Sequence, residues 1–441
     1  MMVRRERDPP QGEMLMATFS RRQALRLAAT GGLGGLLGAC SLPTLATPPT
    51  PTAATPTTVV VWNWLDDALT GLVAEFERSN PLVRVRLERV GYQQAYRQFV
   101  SALQAGTGAP DVFITDRTML GMLREQAGLA DLAAAPFDGA GLRESFVPWA
   151  WQATGFAGRQ VALPWAIGVG TAWYRADVFA RAGLPADPAE LQAQVRSWDD
   201  WLALDEALQR ALPDHRLVAE SRRLFAVVAA QQGGGWLTGD RLDLARRALP
   251  AAEFVAGLQR RGVPAELRRD QIGPSLVTGT AAGFVDAAWN LLLLQQNVPT
   301  TAGAWRMIRP PGGDFSVSAL ALLIPEQSLV QDAAWSLVRA LCATAELQNL
   351  ALQGAGVLPA FMPAWADPLY DRPVGFFGDQ PAFRLLSEAA QAQPEVGLSR
   401  YDAAIEAALE DVAGSVARGS VEPLPAIEAA EQALRRQYPE L

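Results

Sequence analysis

Between residues 57 and 116 the spacing of apolar side chains changes four times, and that rhythm restricts the fold more than any other feature of the chain. TTVVVWN (57–63) reads as a strand ending before Trp64. DALTGLVAEFERSNP follows, with Leu69, Leu72, Val73 and Phe76 on one helical face and a stop at Asn80-Pro81. LVRVRLERV alternates Val83, Val85 and Leu87, the pattern of a half-exposed strand. A helix is predicted from about Tyr92 to Ala105, closed by Gly106-Thr107-Gly108, and APDVFITD gives a short apolar strand ending at Asp116. Strands joined through helices by short links form a parallel α/β unit. In such sheets ligands sit beyond the carboxyl ends of the strands, where Trp64, Asp66, Asp67 and Asp116 all fall.

Similar material returns in pieces. VALPWAIGVGTAWYRADVFARAGLP (161–185) is a strand-like run that breaks at Pro164-Trp165, resumes, and turns into a helix. Residues 186–262 are mainly helical, interrupted by QQGGGWLTGD (231–240). GPSLVTGTAAGFVDAAWNLLLLQQN carries a strand-like AAGFV between two helices, and Pro310-Pro311-Gly312-Gly313 breaks the chain again. SVSALALLIP is then a strand and QDAAWSLVRALCATAELQNLALQ one long helix. From about Pro363 the chain is helical with Pro-rich joints. At 441 residues more than one core is expected. Parallel α/β pieces separated by a helical region fit two discontinuous lobes better than two consecutive domains.

The first 57 residues read as an address. SRRQALR (20–26) leads into LAATGGLGGLLGA, a weakly hydrophobic run ending at Cys40. It is too short to cross ~30 Å of hydrocarbon as a helix, so it is the apolar core of a signal segment. Met14 or Met16 gives a more usual signal length than Met1. Leu37-Gly38-Ala39-Cys40 resembles the lipobox of bacterial lipoproteins, which implies cleavage before Cys40 and lipidation of its thiol. SRRQALR resembles a twin-arginine export signal, with Ala24 where Phe is commoner. Residues 1–39 are therefore expected to be a signal peptide and 40–57, rich in Pro and Thr, an extended tether. The implied location is extracytoplasmic, with the membrane met through the lipid anchor alone.

Composition removes several options. All 38 basic residues are Arg, and a chain without Lys has neither a Schiff-base amine nor a Walker-type phosphate Lys. The net charge of −8 argues against a nucleic-acid partner. Once Cys40 is lipidated, Cys342 remains, in an apolar helical run where a buried filler is expected. His215 is the one histidine, in the polar PDHRL, with no nucleophile elbow or zinc-ligand spacing around it. No catalytic residue, cofactor or metal site is expected. A glycosidase built on a carboxylate pair leaves no sequence signature and stays open as an alternative.

The order of motifs resembles the extracellular solute-binding proteins of ABC importers, in particular the sugar-binding family that includes maltodextrin-binding proteins. GTGAPDVFITD is similar to the family's G-x-x-P-D-V strand with its following acid. VALPWAIGVGTAWYRADVFARAGLP is similar to its A-L-P … Y-N-x-D-x-F-x-x-A-G-L-P segment, with Arg175 where Asn is usual. VTGTAAGFVDAAW resembles G-x-x-A-M … G-x-W, with Ala282 for Met, and AAWSLVRALCATAELQNLALQGAGVLP resembles A-W-x-F-x-x-F-x … Q … G-x-x-P. The resemblance covers nearly everything from 58 to 441. It implies a periplasmic-binding-protein-like α/β fold of two discontinuous lobes joined by crossing strands, with a ligand cleft between them. The expected division is 58–168 plus 312–357 for the N-terminal lobe and 169–311 plus 358–441 for the C-terminal lobe. Ala166 to Gly170 would be the first crossover, with Gly168 and Gly170 as the hinge.

The resemblance also implies a monomer that captures a mono- or oligosaccharide and hands it to permease transmembrane subunits. Sugars are held by carboxylates and amides that accept from hydroxyls, and by aromatic faces that stack on C–H patches. The expected ligand residues are Trp64, Asp66, Asp67, Asp116, Arg117, Trp165, Trp236, Asp286 and Trp289. The Asp116-Arg117 pair matches an Asp-Arg pair that contacts sugar hydroxyls in maltodextrin-binding relatives. Asp67 is either a ligand residue or the cap of the first helix, Tyr92 either reaches the cleft or opens its helix, and Trp165 either faces the cleft or caps a core strand. Trp173, Trp335, Trp198 and Trp201 are expected in lobe interiors. Gly168 stands where those relatives carry a carboxylate, so the hydroxyl pattern recognised should differ. A polyol, a glycerol-phosphate-type solute or a sensor role are the alternatives on the same fold.

Overall fold

The computed structural model describes residues 55–65, 69–394 and 397–441. The signal segment, Cys40 and most of the tether lie outside the described residues, as do Asp66 and Asp67. Residues Pro56–Leu441 form one compact unit.

The first strands form as their alternation requires. β1 (Thr57–Asn63) lies between β2 (Val83–Arg89) and β3 (Val112–Asp116), parallel to both. Helix α1 (Thr70–Ser79) buries Leu72, Val73 and Phe76, and α2 (Tyr92–Ala105) buries Ala95, Phe99, Ala102 and Leu103. Phe99 stacks on Phe113 of β3 with ring centroids 4.2 Å apart, which fixes α2 against the sheet. α2 ends at Gly106, whose φ of 68° is the left-handed cap that glycine adopts without strain.

One strand carries both halves of the molecule. β4 (Leu163–Arg175) is buried at every residue. Its first half pairs with β7 (Ser316–Leu323) and β8 (Leu358–Pro359), its second half with β5 (Gly283–Ala287) and β6 (Trp305–Ile308). The partners change between Val169 and Gly170. The sheet has eight strands in the order β6-β4-β7-β3-β1-β2, with β5 and β8 also on β4.

Two expectations are corrected here. The break predicted at Pro164-Trp165 is a bulge, and β4 continues through it. Leu320 and Ala321 of β7 pair with Ala166 and Pro164, so Trp165 is the extra residue on β4, beside a proline that has no N–H to give. The single long helix is two, α7 (Gln331–Ala343) and α8 (Ala345–Ala355), parted at Thr344, which is extended at φ −122°, ψ 120°. The side chain of Gln348, 1% exposed, donates to the Leu341 carbonyl that the break leaves unpaired.

Helices complete the second lobe. α4 (Trp198–Ala211) starts with a capping box between Ser197 and Asp200, and α5 (Leu224–Gln231) follows. α6 (Ala245–Arg260), α10 (Asp402–Ala417) and α11 (Pro423–Gln437) share a helical core. A second cluster gathers Tyr174, Phe179, Trp201 and Phe315, and a third gathers Phe99, Phe113, Met119 and Leu120. The largest runs from Val59 and Ile114 through Trp165 to Trp305, Phe361 and Tyr370, and takes in Phe383 and Leu386 of α9 (Ala382–Gln391). Side-chain packing thus continues past residue 358 into the core that β1 and β3 share. Trp173 and Trp201 are fully buried, whereas Trp335 and Trp198 pack half-buried against those clusters.

Candidate ligand site between the lobes

The ends of the first three strands come together through three side chains. Asp116 closes β3 and caps α3 (Arg117–Leu123), its Oδ1 accepting from the Met119 N–H at 2.8 Å. Its Oδ2 accepts from the Tyr92 hydroxyl at 2.5 Å. Tyr92, the first residue of α2, lies edge-on to half-buried Trp64 with centroids 5.4 Å apart. Burial pushes the Asp116 carboxyl above the usual range, and the two hydrogen bonds only partly offset it. Burial, and then the charge of Asp116, likewise raises the Tyr92 phenol, so its proton stays in place as a donor.

Helix α10 faces this group from the other lobe. Asp402, Glu406 and Glu410 are four residues apart and share one helical face. Glu406 takes the two residues that follow Asp116: Oε1 accepts from Arg117 Nη2 at 2.5 Å and Oε2 from the Thr118 hydroxyl at 3.1 Å. Burial works against the Arg117 charge, but the carboxylates of Glu406, Asp402 and Asp116 outweigh it and raise its pKa. Glu410 meets Arg222 at 3.5 Å, and Arg222 also pairs with Glu266. Asp402, 1% exposed, accepts from the Ser399 N–H and hydroxyl and is pushed up by burial. The two helices approach closely because Gly121 has no side chain: a Cβ there would sit 2.6 Å from the Ser399 carbonyl oxygen. Arg124 donates to the neighbouring Leu398 carbonyl.

A second group gathers where the lobes cross. Asp286 of β5 lies opposite Thr171 and accepts from Arg223 Nη2 at 3.2 Å. Half-buried Trp289 lies over Gly168, where a Cβ would come within 3.1 Å of its ring and 2.9 Å of Ser318 Cβ. The carboxylate missing at Gly168 therefore has no room, since Trp289 and Ser318 fill that space. At Gly170 a Cβ would overlap the Phe315 ring. Neither glycine has a positive φ, so close approach accounts for both.

Two expected tryptophans are placed elsewhere. Trp165 is 1% exposed in the largest core cluster, and its indole N–H has no partner among the described residues. It sits on a strand covered on both faces, so its direction could not be read from alternation. Trp236 is 6% exposed in the helical core, with the Arg247 guanidinium 4.2 Å from its ring centre. A Cβ at the preceding Gly235 would lie 3.3 Å from Gly397, so the two backbones run close together there. Burial, helped by the Arg117 charge, pulls Arg247 down to about 10. Arg175, 6% exposed, is spent on Asp177 at 2.8 Å and on the carbonyls of Leu276 and Val277. His215 is half-buried beside Arg181.

The sequence reading missed Thr118, Arg222, Arg223, Asp402, Glu406 and Glu410. The four-residue spacing in YDAAIEAALED was a signal, but acids on a helix usually mark a solvated face. A hollow of about 910 Å³ lined by Asp187, Arg306, Gln380, Arg384 and Glu388 lies apart from these residues. Among the described residues no three potential metal ligands stand together, and no helix is long and apolar enough to cross a membrane.

Two α/β lobes on crossing strands, with charged and aromatic side chains facing each other between them, define a periplasmic-binding-type receptor. The chain belongs to the bacterial extracellular solute-binding proteins, whose family model matches residues 62–346. That family is extracytoplasmic and made of binding proteins. A solved extracellular solute-binding protein of family 1 is similar at a TM-score of 0.76 and 19% identity, over 86% of this chain and 99% of that one. The GacH receptor of Streptomyces glaucescens GLA.O, solved unliganded and with acarbose, gives 0.69 and 18% over 86% and 97%. The sugar-binding protein MalE from Xanthomonas citri gives 0.69 and 21% over 87% and 99%. No curated protein matches the sequence.

Proposed function

We propose that this protein is the lipid-anchored binding component of an ABC importer, and that its lobes close on a neutral carbohydrate. The observation that carries the reading is the meeting of Trp64, Tyr92, Asp116 and Arg117 with Glu406 across the two lobes. Aromatic edges beside carboxylates and a guanidinium suit C–H patches and hydroxyls. Three arginines on the facing walls already have a carboxylate: Arg117 has Glu406, Arg222 has Glu266 and Glu410, Arg223 has Asp286, while Arg124 donates to the Leu398 carbonyl. A phosphorylated guest would need cations that are not neutralised, so an uncharged one is favoured.

In this reading Trp64, Asp116, Arg117, Asp286 and Trp289 contact the guest, joined by Tyr92. Asp66 and Asp67, next to Trp64 in sequence, stay in the proposed set, while Trp165 and Trp236 leave it because they are buried. The lobes turn about the crossover at Gly168 to Gly170, and a closed lobe pair presents the guest to the permease. Closure is a population shift, stabilised by contacts the guest makes only when the lobes are shut. Cys40 carries the lipid.

The test is a thermal-shift screen against neutral sugars, polyols and phosphorylated solutes, since a ligand that binds the native state raises the melting temperature. A response among neutral sugars is expected, and Asp116→Asn should weaken it by about tenfold or more in affinity, the scale of one hydrogen bond to a charged group. A response confined to phosphorylated compounds, or hydrolysis of a glycoside, would refute this reading.

A further inference from the structure

The polar pair proposed for the guest is already engaged by the protein itself. Both Asp116 oxygens accept, from Met119 N–H and Tyr92, while Arg117 and Thr118 both donate to Glu406. Arg117, Gly121 and Arg124 follow at spacings of four and three, so one face of α3 and its C-cap meets α10 and the segment that leads into it at three successive points. The Gly121 and Arg124 contacts go to backbone, at Ser399 and Leu398. Of the three, the Glu406 contact is the one whose acceptors a guest can replace. Two oxygens on one carboxylate satisfy two donors on adjacent residues, as a pair of neighbouring hydroxyls would.

We infer that Glu406 is a positioning residue that clamps α10 onto α3 in the absence of a guest, occupying the place that the guest's oxygens take on binding. The inference rests on the reading of Asp116-Arg117 as a ligand pair. Its physical content is a competition. The clamp holds part of the guest-free population shut, and the apparent affinity falls by the fraction that is not open. Glu406 thereby sets a threshold: a guest unable to satisfy both the Arg117 and Thr118 donors gives no exchange and leaves the clamp closed.

Small-angle scattering on the full chain without any sugar tests this. Glu406→Gln keeps the shape and removes the charge at a side chain that is 30% exposed. The expected result is a larger radius of gyration for Glu406→Gln than for the wild type. Amide exchange over 117–124 and 402–406 should be faster by about tenfold or more, the scale of losing one charge-assisted bond. Raising NaCl to about 1 M, where the screening length is ~3 Å, should move the wild type toward the variant and leave the variant unchanged. Thr118→Val, which removes only the second bond, should fall between. Equal radii and equal exchange in all three proteins would overturn the clamp. Because no sugar is used, that outcome leaves the receptor reading to the sugar screen, and a failed screen leaves the clamp to scattering.

Discussion

Asp402 and Trp165 show how much a single buried side chain can ask of this protein. Burial raises the Asp402 pKa, so the folded chain binds this proton more tightly than the unfolded chain. Its stabilising contribution is therefore full below an ordinary carboxylate pKa and is lost as pH rises through the raised value. At neutral pH the wild type carries the cost of the ionised form. Asp402→Asn should accordingly raise the melting temperature at pH 7 and lose that advantage near pH 3, as fluorimetry at the two pH values would read. Asp116 has the same sign, so guest binding should begin to fail in acid at a higher pH than for an ordinary carboxylate. Trp165, with its unpartnered N–H in the core, should tolerate Phe with a loss under about 1.5 kcal/mol but lose roughly 3–5 kcal/mol as Ala, by urea unfolding. The Asp116-Arg117 pair was legible because a short strand ending in Asp is a local pattern. Glu406 was not, since its partner is 289 residues away.

Among the elements, β4 is the one whose glycines decide the packing. Gly170→Ala would drive a methyl into the Phe315 ring inside a strand buried at every residue. A loss of about 1–3 kcal/mol in urea unfolding is expected, the usual cost of overpacking. β2 and the first two helices were legible because one face of each is polar, which leaves a period to read, and β1 and β3 as short apolar runs between turn residues. β4 showed only an uninterrupted apolar run, which says buried and nothing about direction. The proline within it suggested a break, whereas the strand bulges at Trp165 and continues, because its pairing is set by β7, outside any local window. The division of α7 from α8 was hidden for a related reason: Gln348, which satisfies the freed carbonyl, is a polar residue buried where the pattern assigns only apolar ones.

For the molecule as a whole, the largest core does not stop at the lobe junction. It joins Val59 and Ile114 of the first strands to Trp173 on the far half of β4 and Trp305 on β6, and to Tyr370 and Phe383 near the C-terminal end. Such shared packing predicts one cooperative transition for the guest-free protein in calorimetry, with calorimetric and van't Hoff enthalpies equal, and two resolved peaks would contradict it. Two lobes were legible from the recurrence of α/β pieces, whereas the continuity of packing across them depends on side chains no local pattern connects. The unbroken β4 has a further consequence for change. Its thirteen buried positions serve both lobes at once, so it tolerates little alteration. Tyr92, Arg223 and Glu410 are exposed at the rims and belong to no core cluster. A lineage, or an engineer, seeking a different cargo would rewrite those rims and leave the spine alone, which is how one skeleton can serve many diets.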